Sequence, residues 1–525
     1  MKIVEFEQLK SDLSKQYDID CWVFLEDLEH CPSSTFYKTL MPFQQTAYET
    51  NYRFILCNTK PLQTATLDHV ANIINYLDIS PYFVEIYTNQ PTTVAYFNLL
   101  PEPIKTTQVD IQRINPVLDI VPLFNTDRKM CAHAWSGFHV WTDGTVGVCC
   151  DYQGSIVDDT NQPYNINSHS IEEILSSRYM DNLRNQMRLG QDPIGCNGCV
   201  NIECTGGQSR RMMSPYRLEN IWGLIDWESD SVDNLGYIGG HLGNLCNLKC
   251  RICSSAFSST LAAEELSQVP TNEVKLHPTY KISNNTNWAT KKKDLWESFK
   301  DTPQIKNFEF LGGEPFMLKY NLDFMQYLLD TQRSKDCIFD FTSNGTLYPE
   351  IFDHADQFKR LVVTLSIDNV EERFEYERSG ADWNVLQATV QKFMQVKSKN
   401  PTFKIGVGIA VNIQNVLYLP ELITWIQQQN FDHYYYNVIS TPGCLSIAQL
   451  TDVARKLVLD KLINCQLDAK DKQTLQYVIQ TIQNSAGSDG KKFIAYMKSK
   501  DHLRNENFAA AHTEIAVAMG YYETI

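Results

Sequence analysis

Residues 236–253, GYIGGHLGNLCNLKCRIC, decide how this chain is read. The first seven, GYIGGHL, are apolar and small, the pattern of a buried strand running out into a loop. That loop then presents Cys246, Cys250 and Cys253 at C-x3-C-x2-C spacing. Three thiolates this close on one loop can grip one face of an iron–sulfur cubane and leave its fourth iron open. A structural zinc ion takes four ligands, and no fourth cysteine belongs to this loop, so the spacing favours a [4Fe-4S] cluster with an open position.

Working outward, five more strand-like runs follow: IKNFEFLGGEP (305–315), CIFDFTSNGT (337–346), RLVVTLSID (360–368), KIGVGIAVNI (404–413) and HYYYNVIS (433–440). Between them lie helical patterns such as YNLDFMQYLLDTQ, WNVLQATVQKFMQVK and VLYLPELITWIQQQ. Strands alternating with helices predict an α/β fold with a parallel sheet, here a partial (β/α)6 TIM-like barrel over residues 236–444. In such folds the chemistry sits on loops at the strands' C-terminal ends, where the cysteine loop falls. A polar excursion interrupts the series at about 268–295. Residues 445–525 read as a helical C-terminal extension.

Before the barrel, residues 1–110 read as a small α/β domain of unassigned role, with strand runs TNYRFILCN and YFVEIYTN around a helical LDHVANIINYL. Residues 111–235 are rich in turns and cysteines. There Cys131, Gly144 and Cys149 follow C-x12-G-x4-C, and Cys196, Cys199 and Cys204 follow C-x2-C-x4-C, with Cys150 a neighbouring spare. HVWTDGTVGVCCD reads as a hairpin turning at Asp143-Gly144, which brings Cys131 and Cys149 toward each other. Such a knuckle serves either an auxiliary cluster or a structural zinc ion.

The chain has 525 residues, with 46 Lys+Arg against 62 Asp+Glu and a net charge of −16, which argues against non-specific nucleic-acid binding. No apolar run approaches the ~20 residues of a membrane span. The N-terminus MKIVEFEQLK lacks a secretory pattern, so a cytoplasmic location is expected. Thiols stay reduced there, so the 15 cysteines are not a disulfide framework. Nine of them fall between residues 131 and 253, and the six scattered ones read mostly as packing.

These residues together resemble the radical S-adenosylmethionine (radical SAM) superfamily. The resemblance covers residues 236–440 and is carried by four stations: Cys246-Asn247-Leu248-Lys249-Cys250-Arg251-Ile252-Cys253, Gly312-Gly313-Glu314-Pro315, Ser343-Asn344-Gly345-Thr346 and Leu365-Ser366-Ile367-Asp368. Ile252 departs from the aromatic residue many members place there, while keeping an apolar shield. The resemblance implies S-adenosylmethionine chelated at the open iron and cleaved reductively to a 5′-deoxyadenosyl radical that abstracts hydrogen from a substrate. It implies that Gly312, Gly313, Glu314 and Pro315 support the cosubstrate's amino group, and that Ser366 and Asp368 meet its ribose. Asn344 and Asn412 are weaker cosubstrate candidates, and Arg378 is a candidate partner of its carboxylate. The upstream cysteines resemble the SPASM and twitch domains, in the order of the subgroup with an N-terminal twitch domain, with Cys131, Cys149, Cys196, Cys199 and Cys204 as auxiliary-cluster candidates.

Relatives of this kind often modify peptides, which makes a peptide or protein side chain the leading expected substrate. A small molecule such as a sugar, a nucleotide or a natural-product intermediate is the alternative, and a non-enzymatic metal scaffold a further one. The open iron requires a low-potential donor such as flavodoxin or ferredoxin. Cys444 is a catalytic candidate as a hydrogen-atom or thiolate donor, set against an inert loop thiol. His139 and His241 read as structural, and Tyr434, Tyr435 and Tyr436 as strand packing.

Overall fold

The computed structural model of the chain describes residues 3–5, 18–24, 52–58, 84–88, 105–108 and 110–112, and then residues 130–204, 209–230, 234–285 and 302–522. They divide into two compact units, one made of Met1–Ala132 with Asn182–Ile225, the other of His133–Asp181 with Asp226–Ile525.

In the first unit, strands β1 (Ile3–Glu5), β2 (Asp18–Phe24), β3 (Tyr52–Asn58), β4 (Val84–Thr88), β5 (Lys105–Gln108) and β6 (Asp110–Gln112) precede a set of short helices. The order β2-β3-β4-β5 makes a four-stranded parallel sheet, and β1 pairs with β6. Both strand runs expected before residue 110 are present; the expected helix at 67–77 lies outside the described residues. The helical part is cemented by Arg211, which is buried and meets both Asp192 (2.8 Å) and Glu203.

The second unit is built on one eight-stranded sheet. Its strands are β7 (Gly137–Val140), β8 (Val146–Gly147), β9 (Tyr237–His241), β10 (Asn307–Leu311), β11 (Ile338–Ser343), β12 (Arg360–Ser366), β13 (Phe403–Val411) and β14 (His433–Val438). The order across the sheet is β14-β13-β12-β11-β10-β9-β7-β8. The six strands β9 to β14 are parallel and consecutive, the pairing expected of βαβ crossovers. The expected hairpin forms, with Val140 opposite Val146 and Gly144 N–H bonded to Trp141 O at 2.9 Å. It is not a separate sheet: β7 pairs in parallel with β9, so residues 137–147 extend the same sheet by two strands.

Period-two alternation sorts the strand residues by face. Phe308, Phe310, Phe339 and Phe341 lie on the side of the helices, with Phe324 of the Lys319–Asp330 helix and Phe393 of the Trp383–Lys399 helix in the same aromatic core. The opposite face carries polar or small residues, among them Glu309, Asp340, Thr342, Ser366, Gly408 and Asn437. Asp382 caps the Trp383–Lys399 helix by accepting from the N–H groups of Asn384 and Val385, a cap of ~1 kcal/mol. After β14 come helices Asp452–Ile463, Ala469–Asn484, Lys491–Arg504, Phe508–Ala511 and Thr513–Ala518. Tyr434 bonds Asp471 of the second of these, while Tyr435 lies on the other face of β14 and is exposed. Among the described residues no helix is long and apolar enough to cross a membrane.

Phe339 is the hub of this core: it is fully buried, stacks on Phe308 at 4.7 Å and meets Phe310 and Phe358 edge-on. Phe339→Ala is expected to lower unfolding free energy by about 3–5 kcal/mol in denaturant titration, through lost transfer energy and the cavity left behind.

Candidate functional site

The loop leaving β9 carries Cys246, Cys250 and Cys253, whose thiols are not in disulfides. They form one small cluster with Leu248, packed by Ile252 and Ala381. Main-chain bonds fix the loop at both ends: Cys246 N–H donates to Ser259 Oγ (3.2 Å), and Lys249 and Arg251 N–H donate to the carbonyls of Ser379 (2.9 Å) and Glu377 (3.0 Å). Ser258 caps the following helix and also donates through Oγ to Leu248 O at 2.7 Å.

The loop after β10 is pressed against this one. Gly312 and Gly313 have φ of +79° and +50°, a region that favours glycine. A Cβ on Gly313 would stand 2.3 Å from Leu245 O, and one on Gly312 2.6 Å from His241 Cβ. Glu314 N–H then donates to Leu245 O at 2.7 Å. The Glu314 side chain is fully buried, and its carboxylate accepts from Phe316 N–H (3.1 Å), Ser343 Oγ (2.9 Å) and Asn344 N–H (2.7 Å). Asn344, at the end of β11, closes the circuit: its Nδ2 donates to Asn247 Oδ1 at 2.9 Å and lies 3.9 Å from Cys246 Sγ. Three of the four stations are thus joined by direct hydrogen bonds.

The fourth station supplies charge. Asp368 is buried after β12, with Oδ1 accepting from Ala410 N–H (2.7 Å) and Oδ2 paired with Arg378 Nη2 (2.7 Å). Arg378 Nη1 reaches Cys250 Sγ at 3.7 Å, while its buried Nε has no acceptor. Burial works against the Arg378 charge, but Asp368 and Cys250 outweigh it and hold the guanidinium protonated. Ser366 is half-buried at the end of the same strand. Asn412, fully buried after β13, closes its own turn: Oδ1 accepts from Gln414 N–H at 2.9 Å and Nδ2 donates to Ala410 O at 2.9 Å. Cys444 is half-buried in the short turn Gly443–Leu445 after β14, where burial raises its thiol.

Among the described residues no three or more His, Cys, Asp or Glu side chains stand together as a ready metal site. The chemistry of the donor set nonetheless fits an iron–sulfur cluster at the cysteine loop. Burial pushes the Cys250 thiol up to about 11, and burial together with the neighbouring thiols pushes Cys253 up to about 12, as burial does for the core thiol Cys337. The orphaned Arg378 Nε is a donor suited to an anionic sulfur group.

Of the upstream cysteines, Cys131, Cys196 and Cys199 belong to the first unit and Cys149 and Cys150 to the second. Burial, then the charges of Cys131 and Cys199, push the Cys196 thiol up to about 12, so Cys131 and Cys199 each lie within electrostatic reach of Cys196. Cys199 lies on the Asn197–Cys204 helix; the Cys204 side chain lies outside the described residues. His139 Nε2 and His241 Nδ1 are 2.8 Å apart, and the His241 ring stacks on Trp141. That pairing, the Asn247–Asn344 bridge and the partners of Arg251 had no signal in the sequence, because each joins residues from different loops or strands.

No family model matches the chain, and no curated protein matches it. Among solved structures, native anSMEcpe with bound AdoMet is similar at 17% identity and a TM-score of 0.31, covering 48% of this chain and 64% of that one. Native anSMEcpe with AdoMet and the Cp18Cys peptide is similar at 15% identity and a TM-score of 0.27, covering 48% and 63%. Streptococcus suis SuiB bound to S-adenosylmethionine is similar at 14% identity and a TM-score of 0.26, covering 50% and 49%. All three hold S-adenosylmethionine. This chain spans less than two thirds of the length of each.

Burial pushes the Glu314 carboxyl up to about 7, against the pull of its three donors. The folded protein therefore holds this proton more tightly than the unfolded chain does. The resulting stabilisation is complete below pH ~4.5 and lost as pH rises to ~7, about 3 kcal/mol in all. Denaturant titrations of wild type and Glu314→Gln across pH 5 to 7.5 test this: the wild type is expected to lose stability relative to the variant as pH rises.

Proposed function

We propose that this chain is a radical SAM enzyme of the maturase type, which uses S-adenosylmethionine to modify a side chain of a peptide or protein in the cytoplasm. The observation that carries the proposal is the junction of Cys246, Glu314 and Asn344. The loops after three consecutive parallel strands are hydrogen-bonded into one rim, with the cysteine loop at its centre. In this reading β9 to β14 form the partial barrel, and Cys246, Cys250 and Cys253 hold a [4Fe-4S] cluster. When bound, that cluster supplies the electron that cleaves S-adenosylmethionine to a 5′-deoxyadenosyl radical.

The chain's own residues have distinct tasks in this proposal. Glu314 fixes the glycine loop so that its backbone supports the amino group of the cosubstrate. Arg378 offsets the negative charge of the thiolates, and Asp368 holds Arg378 in place. Ser366 meets the ribose, and Asn344 ties the rim to the cysteine loop, while Asn412 holds the end of β13 in shape. Cys444 is the candidate hydrogen donor to a substrate radical.

We further infer an auxiliary cluster of the twitch/SPASM type among the upstream cysteines, with Cys131, Cys196 and Cys199 of the first unit as its candidate ligands. A flavodoxin or ferredoxin supplies electrons from outside.

The test is anaerobic reconstitution with iron and sulfide, followed by dithionite and S-adenosylmethionine. Formation of 5′-deoxyadenosine is expected for the wild type and its loss to background for Cys246→Ala; no 5′-deoxyadenosine from a reconstituted wild type would sink the proposal. Iron near four per chain indicates the loop cluster alone, and about eight the auxiliary cluster as well.

A further inference from the structure

Arg251 stands inside the cysteine motif, between Cys250 and Ile252, yet its guanidinium reaches the C-terminal extension. The side chain is fully buried. Its Nε donates to Tyr376 O at 3.2 Å, and Nη2 pairs with Asp501 Oδ1 at 2.8 Å and with Glu506. The guanidinium also lies 3.9 Å from the centre of the Tyr376 ring. The backbone of Arg251 is held on both sides: its N–H donates to Glu377 O, and its carbonyl accepts from Tyr496 Oη at 2.7 Å.

The partners are themselves fixed. Asp501 accepts from Tyr376 Oη (2.6 Å), Phe508 N–H (2.7 Å) and Tyr521 Oη (2.8 Å). Glu506 accepts from Ser379 Oγ at 2.7 Å, and Ser379 O holds the Lys249 N–H of the same cysteine loop. A second tie runs in parallel: Lys249 pairs with Glu264 (3.1 Å), whose carboxylate takes a two-pronged contact from Arg504 Nε (2.9 Å) and Nη2 (2.8 Å). All these groups belong to one compact unit. Residues some 250 positions apart in sequence thus converge on the span between the second and third cysteines.

We infer that the C-terminal residues 491–522 clamp the cysteine loop through Arg251, which is a positioning residue for the group the three thiols bind. The inference rests on the cluster reading proposed above and deepens it. Cys250 and Cys253 flank the clamped residue, so freedom at Arg251 becomes freedom in the separation of two ligands. A planar guanidinium with two carboxylates and a ring face fixes orientation as well as distance, which a lysine cannot reproduce. The C-terminal extension is on this account part of the cofactor site, although it contributes no ligand.

The test uses the full-length chain, reconstituted anaerobically, as wild type, Arg251→Met, Arg251→Lys, Asp501→Asn and the control Lys492→Ala, an exposed position on the Lys491–Arg504 helix. Two quantities are measured: the rate at which a chelator bleaches the cluster's visible absorbance, and hydrogen exchange in the peptide covering residues 246–254. Arg251→Met and Asp501→Asn are expected to bleach about 10-fold faster, the lower end of the loss when a partner bonded directly to a ligand is removed, because Arg251 acts through the loop backbone. Arg251→Lys recovers part of the loss, and Lys492→Ala behaves as wild type. Exchange should rise in the cysteine loop and remain unchanged over β10 to β13.

Wild-type bleaching and loop exchange in both Arg251→Met and Asp501→Asn overturn the clamp. If Arg251→Met does not fold, Asp501→Asn and Arg251→Lys decide by the same readouts. If the wild type takes up no cluster, the cluster reading fails by itself, and loop exchange in the unreconstituted chain still decides the clamp.

Discussion

The rim of this molecule depends on one buried carboxylate. Glu314 has no solvent contact, and its two oxygens meet the N–H of its own loop, the Ser343 hydroxyl and the Asn344 N–H. Its backbone N–H holds the last carbonyl before Cys246. A single residue therefore binds together the ends of β9, β10 and β11, three loops with no covalent reason to keep a common register. Removing the Glu314 side chain would strand three buried donors, and each buried donor left unsatisfied costs about 1–3 kcal/mol. The two left-handed glycines before it follow from the same constraint, since only a residue without Cβ lets the backbone approach Leu245 and His241 this closely.

At Cys250 and Arg251 of the cysteine loop the constraint is charge. Arg378 lies between Asp368 and Cys250, and Arg251 between Asp501 and Glu506, both guanidiniums buried. A buried cation left without its anion is costly, so each pair is retained as a unit. The two arginines divide the work: one is turned toward the thiols, the other away from them to the C-terminal helices. The cysteine loop is thereby held by polar contacts on both flanks and closed over by Leu248, Ile252 and Ala381.

Much of this was legible in the sequence because local signals agreed with one another. The six parallel strands announced themselves as β-branched or aromatic runs ending in Gly, Asn, Ser or Asp, and all six form in the expected order. The motif stations also lie at strand ends. What the sequence concealed is what sequence distance conceals. The hairpin at 137–147 read as part of a separate cysteine-rich segment, yet it joins the edge of the main sheet by parallel pairing with β9. Asp368 and Arg378, 10 positions apart and each a separate cosubstrate candidate in the sequence, are bonded to each other. Arg251 carries no local signal of its role between the two cysteines; its partners Asp501 and Glu506 lie in the tail, and no spacing rule connects them.

The central claim is that the three-cysteine loop holds a cluster whose open position takes S-adenosylmethionine. The most direct measurement is the electron paramagnetic resonance spectrum of the dithionite-reduced, reconstituted full-length chain, recorded before and after S-adenosylmethionine is added. The account predicts a reduced [4Fe-4S] signal that changes shape and g-values on addition of S-adenosylmethionine and is lost in Cys250→Ala. A cluster signal indifferent to S-adenosylmethionine, or one that survives Cys250→Ala unchanged, would contradict it.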